Sequence, residues 1–201
     1  MYAKCVIRQG LLILVSVLGA CTSSVDPYPA HWPPLPERAP EQCVIRDGFY
    51  AAATAAGEKY RSISLSTQFG LDDRADLVEL RTDGEGALTV AAIRYGEIIG
   101  QRRFDAGGSG APQCRNGWLL FDSGGWHSGQ AGAGYESAVL GLLFVNGHLI
   151  VKTRGSFVGW VYIMPMAARG QRWGLYPWLG EVDLQQLKQE ALERQKRVTP
   201  Y

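Results

Sequence analysis

Two short apolar runs, Leu142-Leu143-Phe144-Val145 and His148-Leu149-Ile150-Val151, are separated by Asn146-Gly147 alone. Neither run is long enough for a helix of ordinary length. Asn-Gly accepts the paired positive φ angles of a type I′ turn, so the segment predicts a β-hairpin. The same logic applies to Leu77-Val78-Glu79-Leu80-Arg81, the turn residues Asp83-Gly84, and Ala87 to Tyr95. Glu97 to Phe104 and Trp118 to Phe121 read as further strands, and Gly159 to Met164 as a strand buried on both faces. The glycine-rich stretches Gly107 to Gly110 and Gly124 to Gly134 are expected to be loops. Ala51 to Gly57 fits a short helix or a loop equally. Asp183 is placed to cap a helix from Leu184 to about Arg197, with Gln186 at capping-box spacing. Leu184, Leu187, Ala191 and Leu192 form its apolar stripe. The expected fold is therefore mainly β: a small antiparallel barrel or sandwich with a C-terminal α-helix.

Composition supports this. The chain has 201 residues, 46% of them hydrophobic and 19% charged, which is enough to fill a core. Its 25 glycines, six tryptophans and nine tyrosines favour strands and turns over helices.

The N-terminus has a different character. Lys4 and Arg8 precede the apolar run Leu11 to Leu18, which is too short to span a bilayer and ends in small residues. This is the pattern of a secretory signal. Leu18-Gly19-Ala20-Cys21 resembles the lipobox of bacterial lipoproteins. The resemblance covers this end of the chain only. It implies cleavage before Cys21, a thioether-linked diacylglyceryl group on its sulfur, and attachment to a membrane through that lipid. Two or more acyl chains hold a protein stably at about 0.8 kcal/mol per buried methylene. Thr22, where an aspartate would imply retention in the inner membrane, implies the outer membrane facing the periplasm. Loss of Lys4 and Arg8 leaves 18 basic against 19 acidic side chains. A nearly neutral mature chain without a basic cluster is a poor binder of nucleic acid.

The expected organisation is a signal peptide at 1–20, a lipidated cysteine and proline-rich tether at 21–42, a β-rich domain at 43–182, and a helix and tail at 183–201. Thr22 to Gln42 hold six of the ten prolines, which favours an extended spacer of up to about 65 Å. Trp32 within it is placed to dock on the domain or the lipid surface. Cys43 and Cys114 remain after processing, in an oxidising compartment, and are expected to pair.

The search for chemistry is short. Asp122-Ser123-Gly124-Gly125 resembles the nucleophile motif of trypsin-like serine proteases, with Phe121 where that motif has its first glycine. The only histidine preceding it is His31, in the tether, so a turn after a strand explains it better. His127 and His148 lack acids at metal-ligand spacing, Asp72-Asp73 reads as a solvated turn, and Gly107 to Gly110 lacks a phosphate-loop context. No catalytic residue, cofactor or metal is expected. The aromatic residues suggest a binding surface at Trp126, His127, Tyr135, Trp173, Tyr176 and Trp178, suited to a glycan or protein partner. Most of the other aromatics, Trp160 among them, are expected in the core.

The leading expectation is a non-catalytic envelope lipoprotein whose β domain binds a protein or other envelope partner. The stretch Asp47-Gly48-Phe49-Tyr50 faintly resembles the Gly-x-Trp opening of a lipocalin barrel, which keeps a carrier of a small apolar ligand as the second expectation. An envelope serine hydrolase working through Ser123 and His127 is the third.

Overall fold

The computed structural model describes residues 21–37, 42–54, 64–108, 110–129, 132–161 and 164–198. The expected leader at 1–20 and most of Ala51 to Gly57 lie outside them. Ten strands are described: β1 (Cys21–Val25), β2 (Gly48–Ala51), β3 (Leu77–Thr82), β4 (Leu88–Arg94), β5 (Glu97–Phe104), β6 (Gln113–Arg115), β7 (Trp118–Gly129), β8 (Gly132–Val145), β9 (His148–Val161) and β10 (Met164–Gly180). Two helices accompany them, α1 (Leu65–Gln68) and α2 (Leu184–Val198). The strand order is β5-β4-β3-β2-β10-β9-β8-β7-β6, with β1 joining β10 in parallel. The fold is mainly β, antiparallel apart from β1, and its sheet is not closed.

The turns follow from backbone chemistry. Asn146 and Gly147 have φ of 49° and 78°, the two positive angles a type I′ turn demands. The Asp83 carboxylate accepts the N–H groups of Glu85 and Ala87, closing the β3–β4 turn. Two further tight turns have the same signature, Tyr95-Gly96 (φ 53° and 76°) and Asn116-Gly117 (φ 50° and 76°). Asn116-Gly117 is as clear a turn signal as Asn146-Gly147, and it joins the short strand β6 to β7.

The long strands β7–β10 run through two compact units. One unit takes Tyr28–Phe121, Leu140–Lys152 and Trp173–Tyr201. Here the strands are apolar on both faces, so alternate residues feed two clusters. Leu140, Leu142, Leu149, Val151, Phe121 and Tyr176 pack with Tyr50, Val78, Leu80, Leu65 and Phe69. Leu143, Ile150 and Leu175 point the other way and pack with Trp32. In the first cluster the sheet curls until Phe104 of β5 and Phe121 of β7 touch, with ring centroids 4.9 Å apart, and Phe69 closes on both. The interior is filled by rings. Cys43 and Cys114 are joined as a disulfide in this unit.

The second cluster bears out the docking expected of Trp32 and takes residues 28–35 out of the expected free spacer. Trp32 is only 8% exposed and lies among Leu143, Ile150 and Leu175, flanked by Tyr28, Leu35, Trp118, Val145 and Trp173. Tyr28 meets Trp32 and Trp173 edge to face at 5.7 and 5.1 Å. The physical reason is the two-sided apolar pattern of β8–β10, because a sheet with both faces apolar must be covered on both. The prolines keep this cover extended without requiring it to stand free. Trp32 Nε1 has no hydrogen-bond partner among the described residues, so apolar packing and ring contacts hold the segment.

The other unit takes the described residues of Met1–Pro27, Asp122–Val139 and Thr153–Arg172. It corrects the loop expectation for Gly124 to Gly134, most of which belongs to β7 and β8. It also corrects the buried-strand expectation for Gly159 to Met164. Of that stretch 159–161 end β9, Trp160 is 57% exposed, and 162–163 lie outside the described residues.

Candidate functional site

The six residues expected to form one binding surface are divided by strand alternation. Successive side chains on a strand point to opposite faces. On β10, Tyr176 is 1% exposed in the first core cluster, and Trp178 packs against that cluster. Trp178 also donates its Nε1–H to Asp47 O (3.1 Å), with the Arg46 guanidinium 3.4 Å over its ring. Trp173 points to the opposite side, into the cluster of Trp32, with Lys152 Nζ 4.7 Å over its ring. Tyr176 is buried and Trp173 and Trp178 are partly buried against opposite core clusters, so these three do not share one exposed surface with Trp126 and Tyr135.

Trp126 and Tyr135 are exposed, at 78% and 45%, and their rings meet at 6.2 Å. His127 lies on the other face of β7, its Nε2 3.8 Å from the Glu136 carboxylate. The aromatic pair and the histidine are therefore back to back.

Ser123 and His127 are four residues apart along β7. At ~3.3 Å per residue that places them about 13 Å apart, far beyond hydrogen-bond reach. Ser123 Oγ–H donates instead to Ala138 O (3.3 Å), across the strand pair. His148 Nδ1 lies 3.0 Å from Asn146 O, tied to its own turn. The Asp72 carboxylate is held well below the usual range by the Arg74 side chain and backbone N–H. Among the described residues no three His, Cys, Asp or Glu side chains gather as a metal site.

The feature that sequence reading missed is a half-open groove of about 900 Å³ in the first unit, between α2 and the β4–β5 turn. Its floor is Leu77, Ile93, Tyr95, Leu187, Ala191 and Leu192, and its rim carries Asp76, Glu97, Lys188, Glu190 and Arg194. α2 forms because Asp183 Oδ1 accepts the N–H groups of Gln185 and Gln186, as the capping expectation required. Gln186 does not close a capping box but donates to Glu190 (3.0 Å). The apolar stripe of α2 faces the hairpin, and Lys188 Nζ lies 2.8 Å from Glu97 Oε1, lowering the pKa of that carboxyl.

Gly96 sets the closeness of the approach. A Cβ there would collide with Leu184 O and the Lys188 backbone, and its φ is already positive. Asp76 accepts the Tyr95 N–H (3.1 Å), steadying the same turn. The rim carboxylates Asp76, Glu97 and Glu190 are thus each engaged by a neighbour. Tyr95 and Leu192 of the lining are exposed at 57% and 49%, and Ile98 outside the lining at 55%.

No family model, curated protein or solved structure matches the chain.

Proposed function

We propose that the chain is a lipid-anchored protein of the bacterial envelope, attached through Cys21 to the outer membrane and facing the periplasm. Its β-rich part is a non-catalytic module that docks a protein partner. The anchor rests on the positive start, the short apolar run and the lipobox-like Leu18-Gly19-Ala20-Cys21. The docking function rests on one observation, the groove between α2 and the β4–β5 turn, with an apolar floor and a rim of both charges. A groove of this kind suits an apolar side chain of a partner, with Lys188 and Glu97 supplying orientation. The exposed edge of β5 beside it, with Ile98 and Ile99 uncovered, offers backbone groups to an added strand. A carrier of an apolar molecule is less well supported, because Tyr50, Phe69 and Tyr176 fill the core such a ligand would occupy.

The test is in-cell cross-linking of the full-length protein, followed by detergent extraction, affinity capture and mass spectrometry. A discrete envelope protein should be recovered with wild type and lost with Leu192→Glu. Equal recovery from that variant would refute the groove as the docking site.

A further inference from the structure

The exposed aromatic residues of the second unit form one continuous patch, which becomes visible once the strand register is followed. Trp126 meets Tyr135 across β7 and β8. Ser137 and Ser156 share a hydrogen bond between their Oγ atoms (2.7 Å) across β8 and β9, and Arg154 donates to Gln171 (2.9 Å) across β9 and β10. These pairings put Tyr135 opposite Val158 and, in turn, Val158 opposite Ala167. Cys21 pairs with Ala167 in the parallel β1–β10 ladder. One cross-strand row therefore reads Trp126, Tyr135, Val158, Ala167, and ends at Cys21. The row beyond it carries Ser128, Ala133, Trp160 and Pro165.

Opposed residues of a ladder share a face, so Trp126, Tyr135, Val158 and Trp160 lie on the same side. All four are exposed, at 78%, 45%, 62% and 57%. Neither row contains a charged residue. Charge returns on this face in the row of Ser137 and Ser156, which carries Arg169, and in the next row, which carries Arg154. The opposite face has a different make-up: His127, Glu136, and Phe157 lying against Gly134.

We infer that this face is a lipid-contacting surface, seated in the interfacial zone of the membrane that holds the Cys21 anchor. The inference rests on the reading of Cys21 as the lipidated residue, and the occupant follows from position. At ~4.8 Å between strands, Trp126 is about 19 Å from the Cys21 backbone and Val158 about 10 Å. A lipid on Cys21 brings the bilayer within that reach. Tryptophan and tyrosine favour the boundary between acyl chains and headgroups, where an apolar ring and a polar N–H or O–H are both satisfied. Arg169 and Arg154, on the same face beside the apolar rows, offer positive charge to anionic lipid headgroups.

The experiment uses the full-length, processed protein reconstituted into vesicles of phosphatidylethanolamine and phosphatidylglycerol, with and without brominated acyl chains. Brominated lipid should quench part of the tryptophan emission, and W126F/W160F should lose that quenchable part while remaining bound to the vesicles. Mass spectrometry of the same sample reads the anchor independently. An unmodified Cys21 refutes the anchor whatever the tryptophans do. Unquenched tryptophans on a lipidated chain, or equal quenching in W126F/W160F, overturn the lipid-contacting face and leave the anchor standing.

Discussion

The strands β7–β10 carry two different surfaces within their own length. Around Leu140–Lys152 and the start of the segment from Trp173, they bear leucine, isoleucine, valine and aromatic residues on both faces, and both faces are covered. In the described residues of Asp122–Val139 and Thr153–Arg172 the same strands turn to glycine, serine and alanine, with Trp126, Tyr135 and Trp160 exposed among them. Backbone pairing is common to both regions. What separates them is whether neighbouring rows of side chains are bulky enough to demand a cover. The first unit is therefore expected to carry the stability, and the second to tolerate change at its rings.

The largest expected effect is on the first unit. Replacing Cys43 and Cys114 with alanine opens a connection across 71 residues and should cost about 4 kcal/mol in denaturant unfolding. A loss below about 1 kcal/mol would mean that packing alone fixes these ends. Trp32→Ala should cost about 3 kcal/mol by removing the cover of the second cluster. If residues 28–35 were a free spacer, the same change would be silent.

Alkaline pH separates the regions in another way. Burial raises the pKa of Tyr50, reinforced by the nearby Asp47 charge and opposed by Arg46, and burial raises that of Tyr176. Both hydroxyls stay neutral in the folded chain where the unfolded chain ionises them, near 10.0. Their contribution is thus complete below that value and is lost as pH rises through it toward the folded pKa. Stability should fall by roughly 2–3 kcal/mol by about pH 11, and Tyr50→Phe with Tyr176→Phe should flatten the slope. An unchanged slope in the double variant would place the alkaline sensitivity elsewhere.

Gly96→Ala should cost about 1–2 kcal/mol through its positive φ, and more where the added methyl forces α2 off the turn. Reduced helix signal and weaker partner capture should accompany it. The smallest effect is expected at the bare face: Trp126→Ser and Trp160→Ser should each change stability by less than about 0.5 kcal/mol. A large loss there would reveal packing that the exposure of these rings contradicts.

Much of the fold was legible in the sequence wherever a turn residue met an apolar run. Asn146-Gly147, Asp83-Gly84 and the Asp183 cap each dictate a backbone geometry that few alternatives satisfy. The pairing of Cys43 with Cys114 was legible from the two cysteines left beyond the expected leader. Gly124 to Gly134 was misread because glycine and serine have little strand propensity of their own, and only pairing with neighbouring strands makes them extended. The docking of Trp32 was legible from its residue type, but the prolines around it left open whether it lay on the domain or on lipid. The signal for the domain lay in Leu142-Leu143 and Leu149-Ile150-Val151, whose unbroken apolar character already called for a second cover. The binding surface was half legible. Residue type selects aromatics, but only alternation along β7 and β10 separates exposed Trp126 from buried Tyr176 and from His127 behind it. The groove was not legible at all, because it joins α2 to a turn some ninety residues earlier in the chain.

The most direct test of the contrast between the two regions is amide hydrogen exchange of the full-length protein in detergent, resolved along β8 and β9. The slowest amides should fall in Leu140–Lys152, with those of Gly132–Val139 and Thr153–Val161 exchanging faster along the same strands. Uniform protection from one end of each strand to the other would contradict the account, because a bare glycine-rich sheet would then be as well held as the two-sided core.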